Sequence, residues 1–175
     1  MNKAKNFTAD LFSGERFELE SLKGNKIWLA FFRYASCPLC NLRVHDIILR
    51  KQEFEQLNIK IVAVFQSDVE NTANYVGKQE LHFPLICDPK QELYKLYGVG
   101  SKFSGLVSAD AVVKLTKAVS KGYLPGMPKG DMARIPADFL IDEQMNIVEE
   151  FHGKDIGDHI PFETVIKFAK NTANV

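Results

Sequence analysis

With 175 residues, 46% of them apolar, the chain has the hydrophobic material for one domain with a substantial core and no need of disulfide or metal staples. Lysine plus arginine and aspartate plus glutamate balance at 22 each, which argues against nucleic acid and anionic membrane surfaces, partners that attract a basic excess. The first twenty residues carry Asp10, Glu15, Arg16, Glu18 and Glu20 with no apolar core between them, and the longest apolar run, Ile27 to Phe32, is far short of a bilayer span. No secretory signal and no membrane helix are expected, and the expected location is cytoplasmic.

Asn6 to Leu19 alternates apolar and polar residues around Ser13-Gly14, the pattern of an N-terminal hairpin carrying Phe7, Leu11, Phe17 and Leu19. Ser21 to Gly24 turns the chain into Ile27–Phe32, a buried strand. From Pro38 onward Leu39, Leu42, Val44, Ile47, Ile48, Leu49 and Phe54 recur at spacings of three and four, so a helix begins there and fades near Leu57-Asn58. Ile59 to Phe65 is a second buried strand, and strand, helix, strand in close succession implies a right-handed crossover and a parallel pair. Ser67-Asp68 offers an N-cap to a helix over Val69 to Gln79, Phe83 to Ile86 is a short strand, and Asp88-Pro89 opens a helix running to about Tyr97.

Residues 99–130 read as an insertion: Leu106 to Val119 fit a helix, and Gly122 to Gly130 is a loop with two prolines and three glycines, placed to cover something. Ala137 to Ile141 and Ile147 to Phe151 form an antiparallel hairpin across Asp142 to Asn146, and Pro161 begins a closing helix over Phe162 to Asn171. The order predicts a single α/β domain over residues 1–175, its central mixed sheet flanked by helices.

The chemistry gathers at Cys37-Pro38-Leu39-Cys40, where the first core strand gives way to its helix. Unpaired amides and the macrodipole at a helix start favour a thiolate over a thiol. Cys37, at or near the N-cap, is the expected nucleophile; Cys40 sits one turn in, shielded, close enough to resolve an oxidised or mixed-disulfide Cys37 within one chain. Pro38 suits the first helical position, since its missing N–H would have no helical partner. The pair could be half a zinc site, but four ligands are normally required and His45 points along the same helix without completing a second pair. It could also be two packed core cysteines. Cys87 reads as a small buried hydrophobe, and His45, His82, His152 and His159 show no catalytic spacing with the cysteines.

The arrangement resembles the thioredoxin fold, and most closely its AhpC/TSA, or peroxiredoxin-like, branch. FTADLFSGERFELESLKG is similar to that family's N-terminal hairpin, FPLICDPKQELYKLYGV to its central stretch and RIPADFLIDEQMNIVEEFHG to its late hairpin. The resemblance implies a thiol oxidoreductase that attacks a hydroperoxide or a disulfide, uses no cofactor and no metal, and is re-reduced by a thioredoxin-like protein or a small thiol. It also implies pairing of two copies through a sheet edge or the active-site rim. Ile135-Pro136 stands where the family carries a cis-proline beside the cysteine pair. Arg33, Arg43 and Arg134 could each lend positive charge to the thiolate, with Arg134, two residues before Pro136, the best placed. Tyr34 either offers its hydroxyl to a bound substrate or simply packs.

Three positions depart from the family pattern. Ala30 and Tyr34 replace the proline and the threonine or serine that precede a peroxidatic cysteine, and Phe31 replaces the buried aspartate of thioredoxins. Peroxidase and disulfide reductase therefore stay unranked at this level. A redox-responsive binding module, with Gly122 to Gly130 contacting a partner, is the alternative of a different class.

Overall fold

The computed structural model describes residues 2–102 and 108–171. In chain order its elements are β1 (Asn2–Lys3), β2 (Thr8–Asp10), β3 (Arg16–Glu18), β4 (Lys26–Phe31), α1 (Pro38–Leu49), α2 (Lys51–Gln56), β5 (Ile59–Phe65), α3 (Val69–Asn74), β6 (Leu85–Cys87), α4 (Glu92–Tyr97), α5 (Ala109–Ser120), β7 (Ala137–Ile141), β8 (Asn146–His152) and α6 (Phe162–Lys170).

Apolar residues occupy both faces of β4 and β5, so these strands take the centre of a sheet ordered β1-β8-β7-β4-β5-β6. β4, β5 and β6 run parallel, while β7 lies antiparallel to β4 and continues into its hairpin with β8. Alternation along β4 divides the core. Trp28 and Ala30, followed by Phe32, face a layer that includes Val44 and Ile47 of α1, Phe54 of α2, and Val165 and Phe168 of α6. Ile27, Leu29 and Phe31 face Leu93, Tyr94 and Tyr97 of α4 together with Phe7, Phe17 and Leu19 of the N-terminal hairpin. The result is a thioredoxin-like α/β fold with helices on both faces of a mixed sheet.

Several element ends differ from the sequence expectation for local reasons. The long helix breaks at Arg50 (φ −97°, ψ 15°), whose guanidinium lies 4.4 Å over the Phe162 ring. The helix expected to open at Asp88-Pro89 starts only at Glu92, because Gln91 is left-handed (φ 56°) and the Asp88 carboxylate accepts the amides of Glu92 and Leu93. α5 spans only Ala109–Ser120, and Leu106 and Val107 lie outside the described residues. It packs through Ala111 and Ala118, leaving Val112, Val113, Leu115 and Val119 exposed.

No peptide bond among the described residues is cis, so Ile135-Pro136 is trans and departs from the family expectation. Extended pairing on both sides accounts for it: the Ile135 amide reaches the Gly100 carbonyl (3.5 Å), and the Pro136 carbonyl accepts from Gly153 (2.9 Å).

Candidate active site

β4 carries the chain to Arg33, and a short turn then sets the cysteines. The Cys37 amide donates to the Tyr34 carbonyl (3.0 Å), the Ala35 amide to Ser67 Oγ (2.9 Å), and Asn41 Nδ2 bonds the carbonyls of Ala35 (2.7 Å) and Cys37 (3.0 Å). Cys37 is the N-cap of α1 and Pro38 its first helical residue. The sulfur thus lies at the helix start, where the macrodipole and the nearby amides of Cys40 and Leu39 favour its charge without a capping hydrogen bond to it.

The two thiols are reduced and buried, and their environments drive their acidities apart. A hydrogen bond from the Cys40 thiol, the Arg33 guanidinium and the amides of Cys40 and Leu39 together outweigh burial and pull Cys37 down to about 6. Burial, then the charge on Cys37, pushes Cys40 well above the ordinary thiol range. One sulfur is a thiolate near neutral pH; its neighbour keeps its proton and donates it.

Arg33 is the cation at this site. It is buried, with Nη1 3.3 Å from the Cys37 sulfur, Nε on the Arg134 carbonyl (2.9 Å) and Nη2 on the Met132 carbonyl (2.5 Å). All three nitrogens are occupied, so the fork is fixed in place before any substrate arrives.

Arg134, favoured by the sequence, is turned away. Its guanidinium lies over Tyr94 (4.9 Å), bonds Val99 and Gln91, and pairs with Asp131 (3.6 Å); only its backbone carbonyl serves the site, by holding Arg33. Arg43 is held away from the sulfur by the Phe162 ring and the Ile160 carbonyl (2.5 Å).

Tyr34 is half-buried, its ring 4.9 Å from the Arg33 guanidinium. Burial and the nearby Cys37 charge raise its phenol above the ordinary range. Pro136 stands next to the register pair Phe31–Ala137, and lines a cavity of about 260 Å³ with Gly98, Lys102 and His152. Neither cysteine borders that cavity. Among the described residues no group of three or more His, Cys, Asp and Glu side chains comes together as a metal site would require.

The glycine- and proline-rich loop of 122–130 is fastened beside the nucleophile. Ser36 Oγ donates to the Met127 carbonyl (2.8 Å), the Gly126 amide returns to the Ser36 carbonyl (3.3 Å), and Lys129 pairs with Asp68 (3.0 Å). Gly126 packs so closely on Tyr75 that a Cβ there would stand 2.1 Å from the phenolic oxygen. Cys37 is 1% exposed in this closed arrangement.

Sequence reasoning passed over two features. Arg33 was one of three candidate arginines, and the signal in its favour was a charge directly after the apolar run Ile27–Phe32, at the buried end of the strand that leads to the cysteines. The other is the buried pair of Asp138 and His159 (3.1 Å); its signal was an aspartate inside the apolar strand ADFLI.

Comparison with known proteins agrees with this geometry. The chain is 25% identical over 147 residues to a Mycobacterium tuberculosis protein named as a peroxiredoxin, covering 80% of this chain and 94% of that one. It is 27% identical over 130 residues to the thiol-disulfide oxidoreductase ResA of Bacillus anthracis, covering 70% and 75%. The crystal structure of the peroxidoxin BcpB from Mycobacterium tuberculosis superposes with a TM-score of 0.70 at 15% identity, over 97% of this chain and 94% of that one, and shares its fold. Residues 1–150 match the AhpC/TSA family, and the chain belongs to that family.

Proposed function

We propose that this chain, a peroxiredoxin-like thiol oxidoreductase, reduces small hydroperoxides with Cys37 as nucleophile and Cys40 as resolving thiol. The observation that carries the reading is the Arg33 guanidinium 3.3 Å from the Cys37 sulfur. It stabilises the thiolate in the resting enzyme and balances the charge that develops on the leaving oxygen. The threonine or serine that supplies such a donor elsewhere in the family is replaced here by Tyr34, and Arg33 fills that need from just beyond the end of β4.

The thiolate attacks one oxygen of the hydroperoxide: an S–O bond forms, the O–O bond breaks, and the alkoxide leaves as an alcohol once protonated. Cys37 becomes a sulfenic acid. Cys40 then gives up its proton and attacks the Cys37 sulfur, so that an S–S bond forms, the S–O bond breaks and water departs. An external dithiol, of the thioredoxin type or two small thiols, restores both cysteines and is itself oxidised to a disulfide. Sulfur carries every step. We place this cycle in the cytoplasm as an antioxidant activity, since a reactive cysteine pair that must return to the dithiol form suits a reducing compartment.

A second reading, thiol-disulfide reduction, rests on the opposed acidities of the two cysteines, which suit disulfide exchange equally well. One experiment separates them: a single pure sample, supplied with an external dithiol, is assayed for consumption of hydrogen peroxide and for reduction of a protein disulfide. Faster peroxide turnover is expected, with both activities lost in Cys37→Ser. The reverse ranking assigns the protein to the second reading, and full turnover by Cys37→Ser removes both.

A further inference from the structure

Arg33 keeps one nitrogen on the Cys37 sulfur (3.3 Å) while two backbone carbonyls, those of Met132 (2.5 Å) and Arg134 (2.9 Å), hold the rest of its guanidinium. Those carbonyls come from a segment distant in sequence. The aim of the arginine therefore depends on what fixes that segment relative to the end of β4.

Two sets of contacts fix it. Ser101 forms an antiparallel bridge with Arg134, and the Lys102 amide donates to the Ala133 carbonyl (2.9 Å). The second set belongs to one side chain, that of Gln66, which follows β5 directly and is 1% exposed. Its backbone amide donates to the Arg33 carbonyl (3.1 Å), so it is pinned to the strand end that carries the arginine. Its side chain meets both backbone groups of Asp131: Nε2 donates to the carbonyl (2.7 Å) and Oε1 accepts from the amide (3.1 Å).

A carboxamide suits this task because it ends in a donor and an acceptor side by side, and it pairs with Asp131 as a neighbouring strand would. Gly130 permits the close approach. It has φ 113°, where a side chain would be strained, and a Cβ there would stand 2.8 Å from Gln66 Cδ. Asp131 stiffens the next turn of chain, its carboxylate accepting the Ala133 amide (2.9 Å) and pairing with Arg134 (3.6 Å). The contacts close a ring: Arg33 backbone to Gln66, Gln66 to Asp131, the following carbonyls back to the Arg33 guanidinium.

We propose that Gln66 is a positioning residue of the redox site: by clamping Asp131 it sets the carbonyls of Met132 and Arg134 where they aim Arg33 at the Cys37 sulfur. Its bearing on catalysis rests on the redox reading above. An arginine released from this frame keeps its charge but loses its aim, and its support of the thiolate weakens with distance and alignment.

The test is a double-mutant cycle on the reduced full-length protein, with the Cys37 midpoint followed by ultraviolet thiolate absorbance. Gln66→Met keeps an unbranched side chain and removes both hydrogen-bonding groups. The midpoint of about 6 is expected to rise by about one unit, the low end of what a close opposite charge contributes. In an Arg33→Met background the same change should move the midpoint no further, since no guanidinium is left to aim. Equal rises in the two backgrounds would reveal a general loosening of the site and overturn the proposal, as would an unmoved midpoint in Gln66→Met alone. Should Gln66→Met fail to fold, Gly130→Ala carries the cycle, its methyl displacing the carboxamide from a loop position. The same pattern at smaller size is expected there, and an unmoved midpoint or equal rises again overturn the proposal. Because the midpoint is read without substrate, absent peroxide and disulfide turnover in the wild type would count against the redox reading and leave this assignment standing.

Discussion

Arg33 and Arg43 flank the cysteine pair in sequence, and both are taken into the interior beside an aromatic ring. Their surroundings differ in one respect that decides what each can do. Arg33 has every nitrogen engaged, one of them by the Cys37 sulfur, and sits behind the loop fastened to Ser36. Arg43 keeps its Nε buried without a partner among the described residues. The acidities record the contrast. Burial lowers both, but around Arg33 the Cys37 thiolate, by its charge and its hydrogen bond, helps to outweigh it and the guanidinium holds its proton more tightly. Around Arg43 burial prevails over Asp138 and the value falls to about 10. A cation saturated by its own chain beside the sulfur tunes that chain's nucleophile; one packed on Phe162 and bonded to the Ile160 carbonyl, away from the sulfur, serves the packing of α1 against the approach to α6.

The largest expected effect breaks the first half of this comparison. Arg33→Met removes the only guanidinium in contact with the sulfur among the described residues, and peroxide turnover is expected to fall about 100- to 1,000-fold, the usual cost of losing one aimed donor of charge stabilisation. The Cys37 midpoint, followed by ultraviolet thiolate absorbance, should rise toward the ordinary thiol range; an unmoved midpoint would show that the Cys40 hydrogen bond and the helix amides suffice. In the wild type the thiolate fraction, and with it the rate, should drop about tenfold per pH unit below a midpoint near 6.

Linkage gives this shift a second readout. The folded value lies below the unfolded one, so the thiolate's contribution to stability is fully present above the ordinary thiol value of 9.0 and is lost as pH falls through about 6. The melting temperature of the reduced protein, taken relative to Cys37→Ser, should therefore decline between those limits. A difference that stays flat across that window would contradict the shift.

Next in size is the anion beside Arg43. Asp138 is fully buried and holds Trp28, Ile160 and His159 at once, so Asp138→Ala leaves those donors and the Arg43 charge without their anion. A loss of about 3 to 5 kcal/mol in unfolding free energy is expected, measured by urea denaturation of the reduced protein. A much smaller loss would mean that Arg43 and His159 are readily satisfied by water, and the contrast between the two arginines would narrow.

How much of this could be read beforehand depends on the kind of signal. Continuous apolar runs disclosed β4, β5 and the first strand of the late hairpin, and apolar spacings of three and four disclosed α1. The cysteine junction was legible for the same reason: it lies where the continuous run gives way to the helical spacing. The partners of the cysteines were not. Which of three arginines reaches Cys37 depends on the carbonyls of Met132 and Arg134, contributed by a segment distant in sequence, and no local pattern encodes that meeting. The same holds for His159, which meets Asp138 only because β7 and the approach to α6 are packed together. The start of α4 was misplaced because the Asp88 carboxylate caps from outside the helix, across the left-handed Gln91.

The smallest expected effect sharpens the contrast in access. Cys37 is 1% exposed, and the loop of 122–130 fastened to the neighbouring Ser36 is the candidate cover that must lift for a reagent to reach it. Gly126→Ala places a methyl against the Tyr75 ring, which cannot yield without moving the loop or itself. If the loop moves, its closed state weakens by about 1 kcal/mol and Cys37 alkylation by iodoacetamide speeds up about fivefold, since the rate follows the open population when closing is fast. Tyr75→Ala in the same chain removes the obstruction and should restore the slow rate. Faster alkylation in both variants would trace the effect to lost packing at Tyr75, and an unchanged rate in the first would mean that the sulfur is reached by a path the loop does not control. Only the expected pattern makes the loop the feature that separates Arg33 and its thiolate from solvent.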